Sequence, residues 1–146
     1  MNLQKAIDII KDSEGFRDKA YQDGGGVWTL GYGTVIYPNG MKVKEGDTCT
    51  QTEAEYWLSN HVEDTSKRVL DLCFPQIANE NEHCALVSLA YNIGIGHFRD
   101  STVLRLIHAE DYTAAAEAFL MWDKINGVES KGLKARRERE KALFLS

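Results

Sequence analysis

Glu14, Asp23 and Thr29 lie close together in one run, SEGFRDKAYQDGGGVWTLGYGT, which extends from Ser13 to Thr34. Two carboxyl groups and a hydroxyl around a glycine-rich turn form a sufficient reagent set for cleaving a glycosidic bond. One carboxyl can protonate the departing sugar oxygen while the other activates a water on the opposite face of the ring. The same residues also have a structural reading, in which Glu14 caps a helix, Asp23 shapes a turn and Thr29 is an ordinary strand residue. Spacing alone leaves both readings open.

The chain around these groups suggests how they are positioned. Leu3, Ala6, Ile7 and Ile10 recur at helical spacing, which predicts a short amphipathic helix near residues 2–13. Gly15 stands where a C-cap glycine is expected, so Glu14 should leave the end of that helix, flanked by Ile10 and Phe16. Gly24-Gly25-Gly26 marks a turn, and Val27 to Leu30 with Tyr32 has strand composition. A hairpin follows, with Asp23 at its mouth and Thr29 on its second arm. Further on, Thr52-Glu53-Ala54-Glu55 has the pattern of a capping box. It opens a helix whose apolar positions include Tyr56, Trp57, Val62, Val69, Leu70 and Leu72 and which should end before Pro75. Helices are also expected at 82–93, 101–109, 112–122 and 133–144, with Asp111 as an N-cap. The fold class is then α+β and mostly helical. A small hairpin lobe at about 13–50 carries the carboxylates, a connecting helix spans 52–73, and residues 76–146 with the N-terminal helix make a helical lobe, all in one domain. A linear polysaccharide would lie in a cleft between lobes.

The order Glu-Gly, Asp, then Val-Trp-Thr-x-Gly-Tyr-Gly resembles the catalytic signature of the phage-type lysozymes, the endolysins related to the T-even phage enzyme. The likeness continues in Ala90-Tyr91-Asn92-Ile93-Gly94, in Phe98 and Ser101-Thr102-Val103-Leu104, and in Trp122. It ends in Gly132-Leu133 with Arg136-Arg137-Glu138-Arg139-Glu140, so it covers nearly the whole chain in the family's order. The resemblance implies a lysozyme-like fold and a muramidase that hydrolyses the β-1,4 bond between N-acetylmuramic acid and N-acetylglucosamine in peptidoglycan. By position it makes Glu14 the general acid, Asp23 the base or electrostatic partner, and Thr29 the residue that helps place the attacking water. It implies inversion at the anomeric carbon, for which the carboxyl groups should be roughly 6.5–9.5 Å apart. Tyr91 and Asn92 match groove-facing positions of the family, and Val35 and Ser101 are further substrate-binding candidates. The structural alternative is core packing for Tyr91 and Val35 and capping for Asn92 and Ser101. One departure is Thr34, where many relatives place His after Gly-x-Gly.

Composition agrees with such an enzyme without pointing to it. At 146 residues and 43% hydrophobic, the chain can bury about two thirds of its unfolded surface in one domain. The formal charge of −5 gives no support for nucleic-acid binding and is unfavourable for approaching an anionic wall. The local exception is a basic cluster of Lys131, Lys134, Arg136, Arg137, Arg139 and Lys141. It reads either as a solvated helix face paired with Glu138 and Glu140, or as the source of an arginine, Arg136 or Arg137, that orients Glu14. Cys49, Cys73 and Cys84 fit a reducing compartment and show no CxxC spacing. Cys84 beside His83 reads as core packing, since adjacent helical residues point about 100° apart. His61, His83, His97 and His108 are scattered, so no metal and no cofactor is expected. Trp28 and Trp122 are expected to fill the core rather than stack on sugars.

The N-terminus, Met1-Asn2-Leu3-Gln4-Lys5, contains no apolar stretch suited to a signal peptide or stable membrane insertion. The protein is therefore expected in the host cytoplasm as a monomer, reaching the periplasmic cell wall after release by a holin-type protein. Three other readings differ in a product or a binding test. A lytic transglycosylase would leave anhydro ends, a non-catalytic lysozyme-fold protein would bind wall without dissolving it, and a chitinase-like enzyme would cut a homopolymer of N-acetylglucosamine.

Overall fold

The structure, a computed structural model, describes residues 1–76 and 78–146. Its elements are α1 (Gln4–Glu14), β1 (Arg17–Gln22), β2 (Trp28–Gly31), α2 (Gln51–Cys73), α3 (Glu80–Ile93), α4 (Ile95–Arg99), α5 (Thr102–His108), α6 (Tyr112–Ala118), a 3₁₀ turn (Phe119–Met121), β3 (Lys124–Ile125), β4 (Val128–Glu129) and α7 (Lys131–Leu145). The chain is α+β and mostly helical, and its described residues include the separate antiparallel hairpins β1–β2 and β3–β4. It divides into two compact units, Ile10–His61 and Met1–Ile9 with Val62–Ser146, so the divisions fall inside α1 and α2.

In the unit Ile10–His61 the hairpin is organised by glycines. Gly31 has φ +66°, a backbone state that L side chains rarely adopt, and a Cβ there would sit 2.9 Å from the Ala54 Cβ. Glycine thus lets β2 lie directly on α2. Ile10, Leu30, Tyr32, Val43, Ala54 and Leu58 are buried together as this unit's core. Downstream of β2 the chain is tied by Tyr37, whose hydroxyl donates to Asp47 Oδ2 at 2.6 Å and whose ring meets Trp57 edge-on at 5.0 Å.

Helix α2 is capped two residues before the expected position. Thr50 Oγ1 accepts from the Glu53 N–H at 3.2 Å and Glu53 Oε1 accepts from the Thr50 N–H at 3.0 Å, so the capping box is Thr50–Glu53 rather than Thr52–Glu55. Its apolar stripe also differs from the expected one. Tyr56 and Leu70 are exposed, whereas Ala54 and Leu58 in one unit, and Val62, Val69 and Cys73 in the other, are buried at spacings of four and seven.

The unit Met1–Ile9 with Val62–Ser146 is built around α3, in which every residue from His83 to Tyr91 is buried. Such a helix is surrounded on all sides, and α7 with the short helix α4 supplies much of the cover. Phe119 and Phe144 pack at 5.5 Å between ring centroids. Asn79, Ser101, Asp111 and Ser130 cap α3, α5, α6 and α7 through their side-chain oxygens, Asp111 as expected. Cys84 is fully buried and its thiol is aimed at the Asn2 carbonyl, while the neighbouring His83 ring bonds Ser66. Trp28 and Trp122 are half-exposed rather than core residues, and Trp122 packs against the His97 ring at 5.8 Å.

Candidate active site

Glu14, Asp23 and Thr29 all belong to the unit Ile10–His61. Helix α1 buries Ile10 within this unit, and it ends at Glu14 because Gly15 turns into the left-handed region at φ +69°. The Glu14 carboxyl is half-buried against the backbone of Gly33, where a Cβ would fall 2.9 Å from Oε2 and 3.1 Å from Cδ. Gly33 itself has φ +81°, so both conformation and space at this position require glycine. Phe16 packs on Tyr32 at 5.6 Å yet remains 37% exposed, so it forms only part of an apolar wall near Glu14.

Asp23 follows β1 and is exposed. Its Oδ1 accepts the N–H groups of Gly25 at 2.8 Å and Val27 at 2.9 Å, and its own N–H bonds the Val27 carbonyl at 2.9 Å. The glycine turn therefore grips one carboxylate oxygen and leaves Oδ2 uncommitted. Thr29 is 4% exposed and its hydroxyl donates to the Val27 carbonyl at 3.0 Å. Its single proton is thereby used, and the oxygen remains an acceptor.

The register of the hairpin sets which side chains share a face. Tyr21 pairs directly with Thr29, and the Asp23–Val27 bonds continue that ladder by two residues. Side chains opposite one another and two residues apart project to the same side of the pleat. Asp23, Thr29 and Tyr21 are thus on one face. Arg17 places its guanidinium carbon 4.5 Å from the centre of the Tyr21 ring. Burial pushes the Tyr21 phenol above its ordinary value, Glu14 and Asp23 raise it further, and Arg17 opposes them. Tyr21 therefore senses both carboxylates. It and Gly33 were not singled out in the sequence, although the alternation of Tyr21 with Asp23 is a readable signal.

Thr34 is 4% exposed, and its hydroxyl has no hydrogen-bond partner among the described residues. Its backbone N–H and carbonyl are both bonded to Leu30 at 2.9 Å. Val35 is half-buried in the same unit.

The remaining candidates belong to the other unit. Arg136, Arg137 and Glu140 are buried rather than displayed on a solvated helix face. Arg136 bonds Glu140 Oε2 at 3.3 Å and the Ser88 carbonyl at 3.1 Å, while Ser88 donates to the same carboxylate oxygen at 2.5 Å. Arg137 pairs with Glu140 Oε1, donates to Asn92 Oδ1 and reaches the Trp122 carbonyl at 2.8 Å. One buried carboxylate thus anchors two arginines, and the second of these positions Asn92. Tyr91 is 8% exposed. The Ser101 hydroxyl is buried, accepts from the Leu104 N–H at 3.1 Å and donates to the Phe98 carbonyl at 2.7 Å, which is the geometry of a cap. Among the described residues no cluster of three His, Cys, Asp or Glu side chains is arranged to hold a metal ion. None of their helices is long and apolar enough to cross a membrane.

Comparison with known proteins places the chain in a family. The phage lysozyme family model matches residues 11–140. The endolysin of Salmonella phage P22 is 39% identical over 140 residues, which are 96% of this chain and 94% of that protein. Among solved structures, the endolysin from Escherichia coli O157:H7 phage FAHEc1 superposes with a TM-score of 0.87 at 38% identity, covering 100% of this chain and 94% of that one. The muramidase domain of SpmX from Asticaccaulis excentricus follows with a TM-score of 0.83 at 33% identity, covering 97% and 95%. Identity at this level over essentially the full length establishes that the chain belongs to the phage lysozyme family, as an endolysin-type hydrolase.

Proposed function

We propose that the protein hydrolyses the β-1,4 bond between N-acetylmuramic acid and N-acetylglucosamine in bacterial peptidoglycan, with Glu14 as general acid and Asp23 with Thr29 directing the attacking water. The observation that carries this reading is the pattern of committed and open atoms on the hairpin face. Asp23 Oδ1 is held by two backbone N–H groups, and the Thr29 proton is held by the Val27 carbonyl. What remains open is a pair of acceptors, Asp23 Oδ2 and Thr29 Oγ1. A water has two protons to give, and a water donating one to each of these oxygens keeps a lone pair for the anomeric carbon. As that bond forms, Asp23 takes one proton, and Glu14 delivers its own to the departing oxygen. Both ends of the cleaved bond are then satisfied, and exchange with solvent restores the two carboxyl groups. Such a sequence inverts the anomeric carbon.

The name of one similar structure, a muramidase domain, supports the choice of bond. The relatives named as endolysins support a role in lysing the host from within, the wall being reached once a holin-type protein has opened the membrane. A monomer suffices, since the three reacting side chains belong to one unit of one chain.

The test is clearing of purified peptidoglycan, with the new sugar ends identified by mass spectrometry. The parent should release ordinary reducing muramic acid ends. Glu14→Gln should lower the rate by about 10²–10⁴-fold with the fold intact, because the amide keeps the shape and has no proton to give. Asp23→Asn should be similarly severe, and Thr29→Ser should keep part of the activity. Anhydro ends would convert the reading to a lytic transglycosylase. A Glu14→Gln protein that clears wall at the parent's rate would refute the assignment.

A further inference from the structure

We propose that Tyr21 is a substrate-positioning residue whose hydroxyl binds an uncharged oxygen of the sugar beside the scissile bond, with Arg17 holding its ring in place. The inference rests on the hydrolase reading above and adds a contact to the same site.

Four observations converge on it. Tyr21 is the direct cross-strand partner of Thr29 and lies two residues before Asp23, so its side chain rises from the face that carries both. Its hydroxyl takes part in no hydrogen bond among the described residues, although the side chain is half-buried. The guanidinium of Arg17, 4.5 Å from the ring centre, covers one face of the ring and restricts its rotation. Both Glu14 and Asp23 act on the phenol and favour its protonated form. A rigid, neutral O–H open to the site is a hydrogen-bond donor waiting for an acceptor.

The electrostatics also select the acceptor. Glu14 and Asp23 together outweigh the Arg17 cation there, so an anionic group is disfavoured and the muramic lactyl carboxylate or a stem-peptide carboxylate is a poor partner. A ring hydroxyl or the acetamido carbonyl of the sugar carries no charge and can accept from Tyr21. Such a contact exists in the bound ground state as well as in the transition state, so its effect should appear in binding.

The decisive experiment measures the affinity of a soluble tetrasaccharide of alternating N-acetylglucosamine and N-acetylmuramic acid by calorimetry, in a Glu14→Gln background that prevents turnover. Tyr21→Phe keeps the ring and the Arg17 contact and removes only the hydroxyl. It should weaken binding by about three- to tenfold, the range of one hydrogen bond, with the melting temperature unchanged. In the otherwise wild-type chain the same substitution should raise KM by that factor and leave kcat close to the parent's. Arg17→Gln should weaken binding less, and it should have no further effect once Tyr21→Phe is present, since the guanidinium acts through the hydroxyl. Unchanged affinity in Tyr21→Phe, a loss confined to kcat, or strictly additive Arg17 and Tyr21 effects would each overturn the proposal. Because binding is read in the Glu14→Gln protein, this outcome is independent of whether the parent hydrolyses wall.

Discussion

At Gly33 the backbone makes room for the candidate acid, and no side chain can replace what its hydrogen provides. The Glu14 carboxyl occupies the space a Cβ would take, with Oε2 2.9 Å and Cγ 3.4 Å from that position. Gly33→Ala should therefore carry two penalties, the left-handed backbone strain of about 1–2 kcal/mol and displacement of Glu14. Gly40→Ala separates them, since Gly40 has φ +87° with nothing within 4 Å of its Cβ position. Both variants should lose similar stability in urea unfolding, but only Gly33→Ala should lose wall-clearing activity, by about tenfold or more, as misplaced catalytic groups do. Equal activities would show that Glu14 adjusts at no cost. The adjacent Thr34 has a different cost, since a buried hydroxyl with no partner among the described residues forfeits about 1–3 kcal/mol of solvation. As candidates, Glu14, Asp23 and Thr29 stand out in the sequence because the chemistry proposed for them is carried by residue type. Gly33 does not, because its role depends on which carboxyl comes to lie against it.

At the scale of elements, legibility followed how local the cause was. Helix α1, its glycine cap and the hairpin could be read from the sequence because a 3.6-residue period and a run of glycines act over a few residues. The start of α2 was misread because Thr50–Glu53 and Thr52–Glu55 both have capping-box form, and the choice fell to the register that buries Ala54 and Leu58. Helix α4, with five residues, and strands β3 and β4, with two each, are too short to show a period at all. The contact between α2 and α3 was also hidden, and it has a pH consequence. His83 on α3 is 1% exposed and bonds Ser66 on α2 at 2.7 Å. Burial, and secondarily the N-terminal ammonium, pushes its pKa below the ordinary 6.5. In the folded protein the ring therefore stays neutral at pH values where the unfolded chain binds a proton. The resulting stability is fully present above about pH 6.5 and is lost as pH falls below it toward the folded value. His83→Gln, which keeps a hydrogen-bonding group near Ser66 and cannot titrate, should lose fewer degrees of melting temperature than the parent between pH 7 and pH 5. Parallel losses would show that His83 is not a source of acid sensitivity. The carboxylates common to both proteins cancel in this comparison.

For the whole molecule, the sequence alone suggested that the basic C-terminal helix could offset a net charge of −5 during approach to the wall. Folding removes most of that offset. Arg136 and Arg137 are buried with Glu140, Lys134 is paired with Glu129, and Lys141 with Glu117. Lys11, Arg68, Arg99 and Lys124 are likewise paired with carboxylates. The pairing of Arg136 and Arg137 with Glu140 lies at helical spacing and is readable in the sequence, whereas that of Lys141 with Glu117 is not, because those two residues lie far apart along the chain. An acidic enzyme meeting an anionic polymer is repelled over roughly one Debye length, about 30 Å at 0.01 M salt and about 8 Å at 0.15 M. Clearing of peptidoglycan should therefore accelerate severalfold as salt rises between those concentrations, through faster association. Cleavage of an uncharged N-acetylglucosamine oligomer, to the extent that it occurs, should be nearly insensitive over the same range. Initial rates on both substrates across a salt series test this directly. A rate on wall that falls steadily with added salt would mean that a local positive surface, and not the net charge, governs the encounter.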